Sequence, residues 1–147
     1  MHHPLFFIII LTFKLVNKYI TGDDNMIYTT YFAMLKNLPS NITPISIARF
    51  NPDFYNGLEF KDLAPSARLL SFYKYDNNEE YYTRKFNEQL ARLNASDVAN
   101  RLYNLASNEN IALVCFEKPD KFCHRRLVSK WFNDNGIYCK EFRKGDV

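Results

Sequence analysis

The sequence predicts an α/β protein with a small, mostly parallel sheet and helices packed on its faces, a Rossmann-like three-layer architecture. Apolar runs of strand length alternate with segments whose apolar residues recur at helical spacing. Such alternation implies right-handed crossovers between parallel strands. The 147 residues suffice for one core, and neither a repeat nor a linker divides the chain after Met26. We therefore expect a single α/β domain over residues 26–147.

The composition is that of an ordinary globular protein, with 47% apolar and 24% charged residues. The net charge of +3 is small and scattered, so there is no strong nucleic-acid signal. Three cysteines without a secretion signal favour free thiols in a reducing compartment over a disulfide scaffold. We expect a cytoplasmic protein.

Residues 1–25 differ from the rest of the chain. The apolar run Leu5–Leu11 is shorter than the roughly 20 residues of a membrane span, and no cleavage site follows it. It is either an additional strand or an N-terminal extension outside the core, translated from a misplaced start. We favour the extension, with Met26 as the true start, because Thr21–Asn25 is a polar segment that separates the apolar run from the predicted first strand.

In the first half of the domain, the sequence predicts two strands and one helix. Met26–Thr30 is the first strand, and Tyr31–Leu38 is a helical or irregular turn. Thr43–Ala48 is the second strand, followed by the turn-forming Asn51-Pro52-Asp53. Ser66 is the expected N-cap of the helix, since apolar residues follow it at helical spacing.

The second half begins with two helices. The first covers Glu79–Leu93, and Asn94 or Ser96 caps the second. Ile111–Phe116 is a continuous apolar run, which is typical of a central parallel strand. Cys123–Asn133 is a helix that ends at Asn135-Gly136, and Ile137–Phe142 forms an edge strand.

Ligands of parallel sheets bind beyond the carboxyl ends of the strands. Arg49 follows one of the predicted strands and Glu117 follows another. Period-two alternation makes Cys115 the last covered position of its strand and places Glu117 at the mouth of the site. This edge of the sheet is where we expect the functional residues.

The predicted helix Cys123–Asn133 begins with a cluster of polar residues. At about 100° per residue, His124 falls within the apolar stripe of this helix, and Arg126 points to solvent. Cys123 and Arg125 lie to either side of His124. A thiol in a first helical turn has a lowered pKa, and the same helix start can bind an anion held by Arg125 and Arg49.

Each of these residues also has a purely structural interpretation. Cys115 is then a small core residue, and His124 is a packed histidine bonded to a backbone carbonyl. Arg125 would form a salt bridge with Glu117 or Asp120. Three polar residues converge on one strand end and one helix start. This convergence favours a functional site over three separate structural roles.

A metal site has suitable ligand types in Cys115, Cys123, His124 and Cys139. We expect no metal, because Cys123 and His124 would diverge by about 100° on a helix and Cys139 lies on another strand. A phosphate-binding loop of a cysteine followed six residues later by arginine is also excluded, because Lys121 occupies that position.

Three segments resemble the domain-of-unknown-function 488 family: IALVCFEKPDKFCHRRLVSKWFNDNGI, LAPSARLLSFYK and ITPISIARFNPDFYNG. The first contains the family's Cys-x-Glu strand end and its Cys-His-Arg helix start. The resemblance covers about Met26–Phe142 and implies the fold and the site, but no established activity. Many members have Asp-Val-Arg where this chain has Ile47-Ala48-Arg49, so Asp53 is the candidate for the missing carboxylate.

The leading hypothesis is an enzyme acting on a small anionic, nucleotide-like ligand. Its roles would be a nucleophile (Cys123 or Cys115), a general acid or base (His124 or Glu117) and anion-binding residues (Arg125 and Arg49). A non-catalytic module that binds a nucleotide or a partner protein is the alternative, and a metal or redox protein is the third. The sequence identifies no cofactor, substrate or oligomeric state.

Overall fold

A computed structural model describes residues 25–108 and 110–146 of the chain. These residues form a five-stranded, entirely parallel sheet of order β3-β2-β4-β1-β5. The strands are β1 (Met26–Tyr31), β2 (Thr43–Ser46), β3 (Leu58–Glu59), β4 (Asn110–Cys115) and β5 (Cys139–Glu141). The predicted α/β class is confirmed, with β4 at the centre of the sheet and β5 at its edge.

Among the described residues, four α-helices and two short 3-10 helices connect the strands. The α-helices are α1 (Ala67–Asp76), α2 (Glu79–Ala91), α3 (Ala95–Ala106) and α4 (His124–Asp134). The 3-10 helices are Phe32–Asn37 and Lys61–Leu63. The first three α-helices have N-caps whose side chains each accept a backbone N–H from the first turn; the caps are Ser66, Asn78 and Asn94 respectively.

The core lies on both faces of β4. Ile111, Leu113 and Cys115 belong to the larger apolar cluster, which includes buried apolar residues of each of these α-helices. The alternate residues Ala112 and Val114 belong to two smaller clusters on the other side. The period-two prediction for this strand is therefore correct, and it brings Cys115 to the helix-covered face.

Strand β2 is two residues shorter than predicted. It ends at Ser46 because the Ser46 hydroxyl accepts the Ala48 N–H at 3.2 Å and donates to the Asn51 side chain. The chain therefore turns away from the sheet just before Arg49. A side-chain hydrogen bond, which apolar patterning does not reveal, ends the strand.

The expected N-terminal extension, residues 1–25, lies outside the described residues except for Asn25. Within the part of the chain that the structure describes, none of the helices has the length and apolar character required to cross a membrane.

Candidate functional site

A cavity of about 450 Å³ opens at the carboxyl ends of β2 and β4. It brings together five of the six predicted site residues, namely Arg49, Cys115, Glu117, Cys123 and His124. The sixth, Arg125, is not among the lining residues. The remaining lining residues are mostly apolar or aromatic: Ala48, Phe50, Asn51, Pro65, Leu70, Tyr73, Lys74, Tyr82, Phe116 and Phe122.

Cys115 and Cys123 are joined by a disulfide in this structure. Their sulfurs meet because β4 ends at Cys115 and α4 begins just after Cys123, and both side chains are buried against the cavity. The expectation of free thiols holds for Cys139, the one free cysteine of the described residues, and is wrong for these two. The sequence predicts that both cysteines lie at the same edge of the sheet, but it does not predict a bond between them.

Cys123 is the N-cap of α4 rather than its first helical residue. Its backbone is extended, with φ −151° and ψ 140°. The 100° rotation between neighbouring helical residues therefore does not apply to Cys123 and His124. The geometric reason for excluding a shared metal is wrong, although the structure does not test the exclusion itself.

His124 is buried and held by a single backbone carbonyl. Its Nε2 lies 2.8 Å from the Ile47 oxygen, and since a carbonyl only accepts, Nε2 carries the proton. Nδ1 therefore keeps its lone pair and lies 3.9 Å from Cys123 Sγ. Burial, with a smaller contribution from the charge of Arg125, lowers the pKa of His124 to about 4. The neutral ring is a weak base at pH 7 but retains a free lone pair.

Arg125 is fully buried behind the cavity. Its guanidinium forms an ion pair with Glu141 at 2.9 Å, rather than with Glu117 or Asp120 as the structural interpretation expected. Nη1 donates to the Glu117 carbonyl oxygen and lies 3.2 Å from Cys115 Sγ. Arg125 thus contacts the end of β4 without lining the cavity.

Arg49 lines the cavity while holding the opposite wall together. Its guanidinium donates to the carbonyl oxygens of Pro65, Ala64 and Lys61 at 2.8, 3.3 and 3.4 Å. The Lys61 ammonium in turn donates to the carbonyls of Ala48 and Arg49 at 2.9 and 2.8 Å. These reciprocal bonds fix the guanidinium at the cavity edge.

Glu117 is exposed at the cavity mouth, as its predicted position required. Burial raises the pKa of Tyr73, and the charges of Glu79 and Glu117 raise it further. Asp53, the candidate replacement for the missing acidic residue, is exposed and does not line the cavity. The only carboxylate among the lining residues is therefore that of Glu117.

Three aromatic residues and one lysine line the cavity, although the sequence does not predict them as site residues: Tyr73, Tyr82, Phe122 and Lys74. Phe122 contacts the rings of Tyr82 and Tyr73 at centroid distances of 5.1 and 5.3 Å. Lys74, next to Tyr73 on α1, also lines the cavity. The helical spacing of Tyr73 and Tyr82 indicates core packing, and their position at the cavity depends on how α1 and α2 pack against the end of β4.

Among the described residues, Cys115, Cys123 and His124 form a cluster suited to a metal ion. The ligand atoms of these three buried residues lie within 4.8 Å of one another. Two sulfurs and one imidazole nitrogen are ligands that zinc prefers. Cys139, the fourth residue considered from sequence, is not part of this group.

No curated protein and no solved structure matches the chain. A family model described as the active DUF488-N3 subclade matches residues 36–136, well over half of the sequence. The matched segment runs from before β2 to just beyond α4, so it contains every residue that lines the cavity. The chain therefore belongs to the DUF488 family, as a member of the subclade with that description.

Proposed function

We propose that the protein is an enzyme acting on a small, anionic, nucleotide-like ligand that binds in the cavity at the carboxyl ends of β2 and β4. One observation supports this most directly. Cys115, Cys123, His124 and Glu117 line the same cavity as Arg49. Reactive groups and a positive charge thus converge in a concave space with aromatic walls. The description of the matched subclade as active accords with an enzyme.

The anionic part of the ligand would bind between Arg49 and Lys74. Both cations line the cavity, and the contacts of Arg49 with three carbonyls hold its guanidinium in place. The N-terminus of α4 adds backbone N–H groups near Cys123, whose side chain accepts no capping hydrogen bond from the described residues. A phosphate or carboxylate fits these donors.

The aromatic part of the ligand would lie against Tyr73 and Phe122. These rings are tilted by 39° at a centroid distance of 5.3 Å, and together they form one wall of the cavity. Phe116 also lines the cavity and is 52% exposed, so it offers a further stacking surface. Aromatic faces favour a flat heterocyclic ring over an aliphatic one.

The reacting centre would be the cluster of Cys115, Cys123 and His124. Glu117 is the candidate general acid or base, because it is exposed at the mouth and can exchange protons with solvent. His124 is better suited to accept a bond at Nδ1 than to store a proton, since its pKa is lowered to about 4. Arg125 acts as a positioning residue through its contact with Cys115.

A thermal-shift screen of the reduced protein with nucleoside phosphates and sugar phosphates tests this proposal. We expect stabilisation by a nucleoside phosphate, and Lys74→Gln should weaken its binding about tenfold or more because a charge-assisted contact is lost. Lys130→Gln is the matched control, since Lys130 lies towards the opposite end of α4 from Cys123. The absence of any shift, or equal shifts in both variants, would contradict the anion site.

Turnover is tested separately by product analysis with the ligand that binds. Cys123→Ser and His124→Ala should abolish turnover while retaining the native circular dichroism spectrum. Binding without turnover in the wild-type protein would contradict the enzyme and favour the alternative, a non-catalytic nucleotide-binding module.

A further inference from the structure

We propose that Cys115, Cys123 and His124 of the reduced protein bind one zinc ion, whose fourth coordination position opens into the cavity. This inference rests on the proposed function, because it assigns the reacting centre of the same site. The ligand atoms of the three residues lie within 4.8 Å of one another, and all three residues line the cavity. Three protein ligands with one open position are characteristic of catalytic zinc, including sites with two cysteines and one histidine.

The orientation of His124 already meets the requirement for a metal ligand. Its Nε2–H donates to the Ile47 carbonyl at 2.8 Å, so Nδ1 has the free lone pair. Nδ1 faces Cys123 Sγ at 3.9 Å. Metal-binding histidines typically donate their other ring N–H to a carbonyl or carboxylate, which fixes both the tautomer and the orientation of the ring.

The backbone around Cys115 and Cys123 has room for an ion between the sulfurs. Their Cα atoms are 7.5 Å apart, whereas most disulfides bridge about 4.4–6.8 Å. With Zn–S bonds of about 2.3 Å in a tetrahedral site, two sulfurs are separated by about 3.8 Å. The observed Cα separation accommodates sulfurs at that distance.

The surrounding charges suit two thiolates. Arg125 Nη1 lies 3.2 Å from Cys115 Sγ and can donate to a thiolate at that position. Two thiolates and a neutral imidazole bound to Zn²⁺ have no net charge, which lowers the cost of burying the cluster. Glu141 pairs with Arg125 and so balances the remaining positive charge.

Zinc and the disulfide are alternative states of the same sulfurs. A cellular dithiol, which is oxidised to a disulfide, supplies the two electrons that break the Cys115–Cys123 bond; in the experiment a phosphine does so and becomes a phosphine oxide with oxygen from water. The sulfurs take up two protons to become thiols. Zinc binding then releases both protons to solvent as the thiolates form. The metal-bound state can polarise an oxygen of the anionic ligand, which a disulfide cannot do.

Metal titration of the full, phosphine-reduced, metal-free chain tests the inference. We expect Co²⁺ to produce an intense thiolate-to-cobalt absorption band, which one equivalent of Zn²⁺ then displaces. Cys115→Ser, Cys123→Ser and His124→Ala should each abolish high-affinity zinc binding, as measured with a competing chromophoric chelator. Cys139→Ala is the matched control and should bind zinc as the wild type does, because Cys139 lies outside the cluster.

A wild-type protein without the thiolate–cobalt band, or a band that persists in Cys123→Ser, would overturn the inference. If the variants do not fold, X-ray absorption of the zinc-loaded wild type decides the question. Two sulfur neighbours at about 2.3 Å and one protein nitrogen at about 2.0 Å are expected. Any other set of protein ligands overturns the assignment.

The failure of this inference and that of the proposed function can be distinguished. Zinc titration needs no organic ligand, so zinc binding without any nucleoside-phosphate shift contradicts the proposed function alone. Ligand turnover by a reduced protein that binds no zinc overturns the metal site alone. Lys74→Gln should bind zinc normally, since Lys74 contributes to the anion site and not to the metal cluster.

Discussion

Arg125 and Glu141 form an ion pair of 2.9 Å in which the guanidinium is fully buried and the carboxylate remains 24% exposed. The second Glu141 oxygen accepts the Thr29 hydroxyl at 2.5 Å. Glu141→Gln would leave the buried guanidinium without its counter-charge. We expect the free energy of unfolding to fall by about 3 kcal/mol, as is typical when one partner of a buried pair is removed. Urea denaturation measures this change.

The exposed pair of Lys130 and Asp134 is the control for that measurement. Its side chains are 72% and 59% exposed, so solvent screens the interaction. Asp134→Asn should change the free energy of unfolding by roughly 0.5 kcal/mol or less. If both variants lose the same free energy of unfolding, the buried ion pair of Arg125 and Glu141 contributes no more to stability than the exposed pair.

Because the Cys139 thiol is buried, we expect the protein to lose stability at alkaline pH. Burial raises the pKa of this thiol from its ordinary 9.0 to about 12. Between these values the unfolded chain releases the proton and the folded chain retains it, so stability decreases as the pH rises. The slope attributable to one such group is about 1.4 kcal/mol per pH unit.

Cys139→Ala isolates this contribution, because the other alkaline groups are shared with the wild type. Between pH 9 and 12, the unfolding free energy of reduced wild-type protein should fall more steeply than that of the variant. Guanidinium denaturation at several pH values measures both slopes. Parallel slopes would mean that the folded thiol ionises as readily as the unfolded one.

Arg49 and Lys61 should be energetically coupled, because each cation binds a backbone carbonyl of the other residue. Loss of either side chain loosens the carbonyl that the other needs. We expect the double variant Arg49→Gln/Lys61→Gln to lose less than the sum of the single variants, by roughly 0.5–2 kcal/mol. A double-mutant cycle in urea tests this, and strict additivity would argue against the reciprocal arrangement.

The N-cap of α3 can be identified by two alanine substitutions. Asn94 Oδ1 accepts the Asp97 N–H at 2.9 Å, whereas Ser96 is an exposed residue within the helix. Asn94→Ala should cost about 1 kcal/mol of stability, and Ser96→Ala should cost little. The melting temperatures of the two variants provide the comparison, and the reverse order would contradict this cap.

Local patterns were sufficient to predict most of the fold. The apolar run at Ile111–Phe116 correctly indicated the central strand, and Ser66 is the cap that its sequence context predicted. The patterns failed where one side-chain hydrogen bond decides the outcome. The hydroxyl of Ser46 ends β2 early, and the extended backbone of Cys123 delays the start of α4.

The part of the site that lies on α4 can be predicted from the sequence. Helical geometry correctly placed His124 inward and Arg126 in solvent. It could not identify Glu141 as the partner of Arg125, because that contact depends on β5 pairing with β1. The disulfide depends in the same way on tertiary proximity, since it joins the end of β4 to the start of α4.

Ile47 orients His124 through its peptide group, while its side chain packs in the core. The Ile47 N–H donates to the Val114 carbonyl at 3.0 Å, and its carbonyl accepts the proton of His124. Every residue except proline offers the same two groups. An apolar residue of similar volume at this position would therefore leave the imidazole orientation intact, whereas proline would remove the bond to Val114. Substitutions can thus accumulate at residue 47 while the histidine keeps its tautomer, and a search for functional side chains would overlook the position entirely.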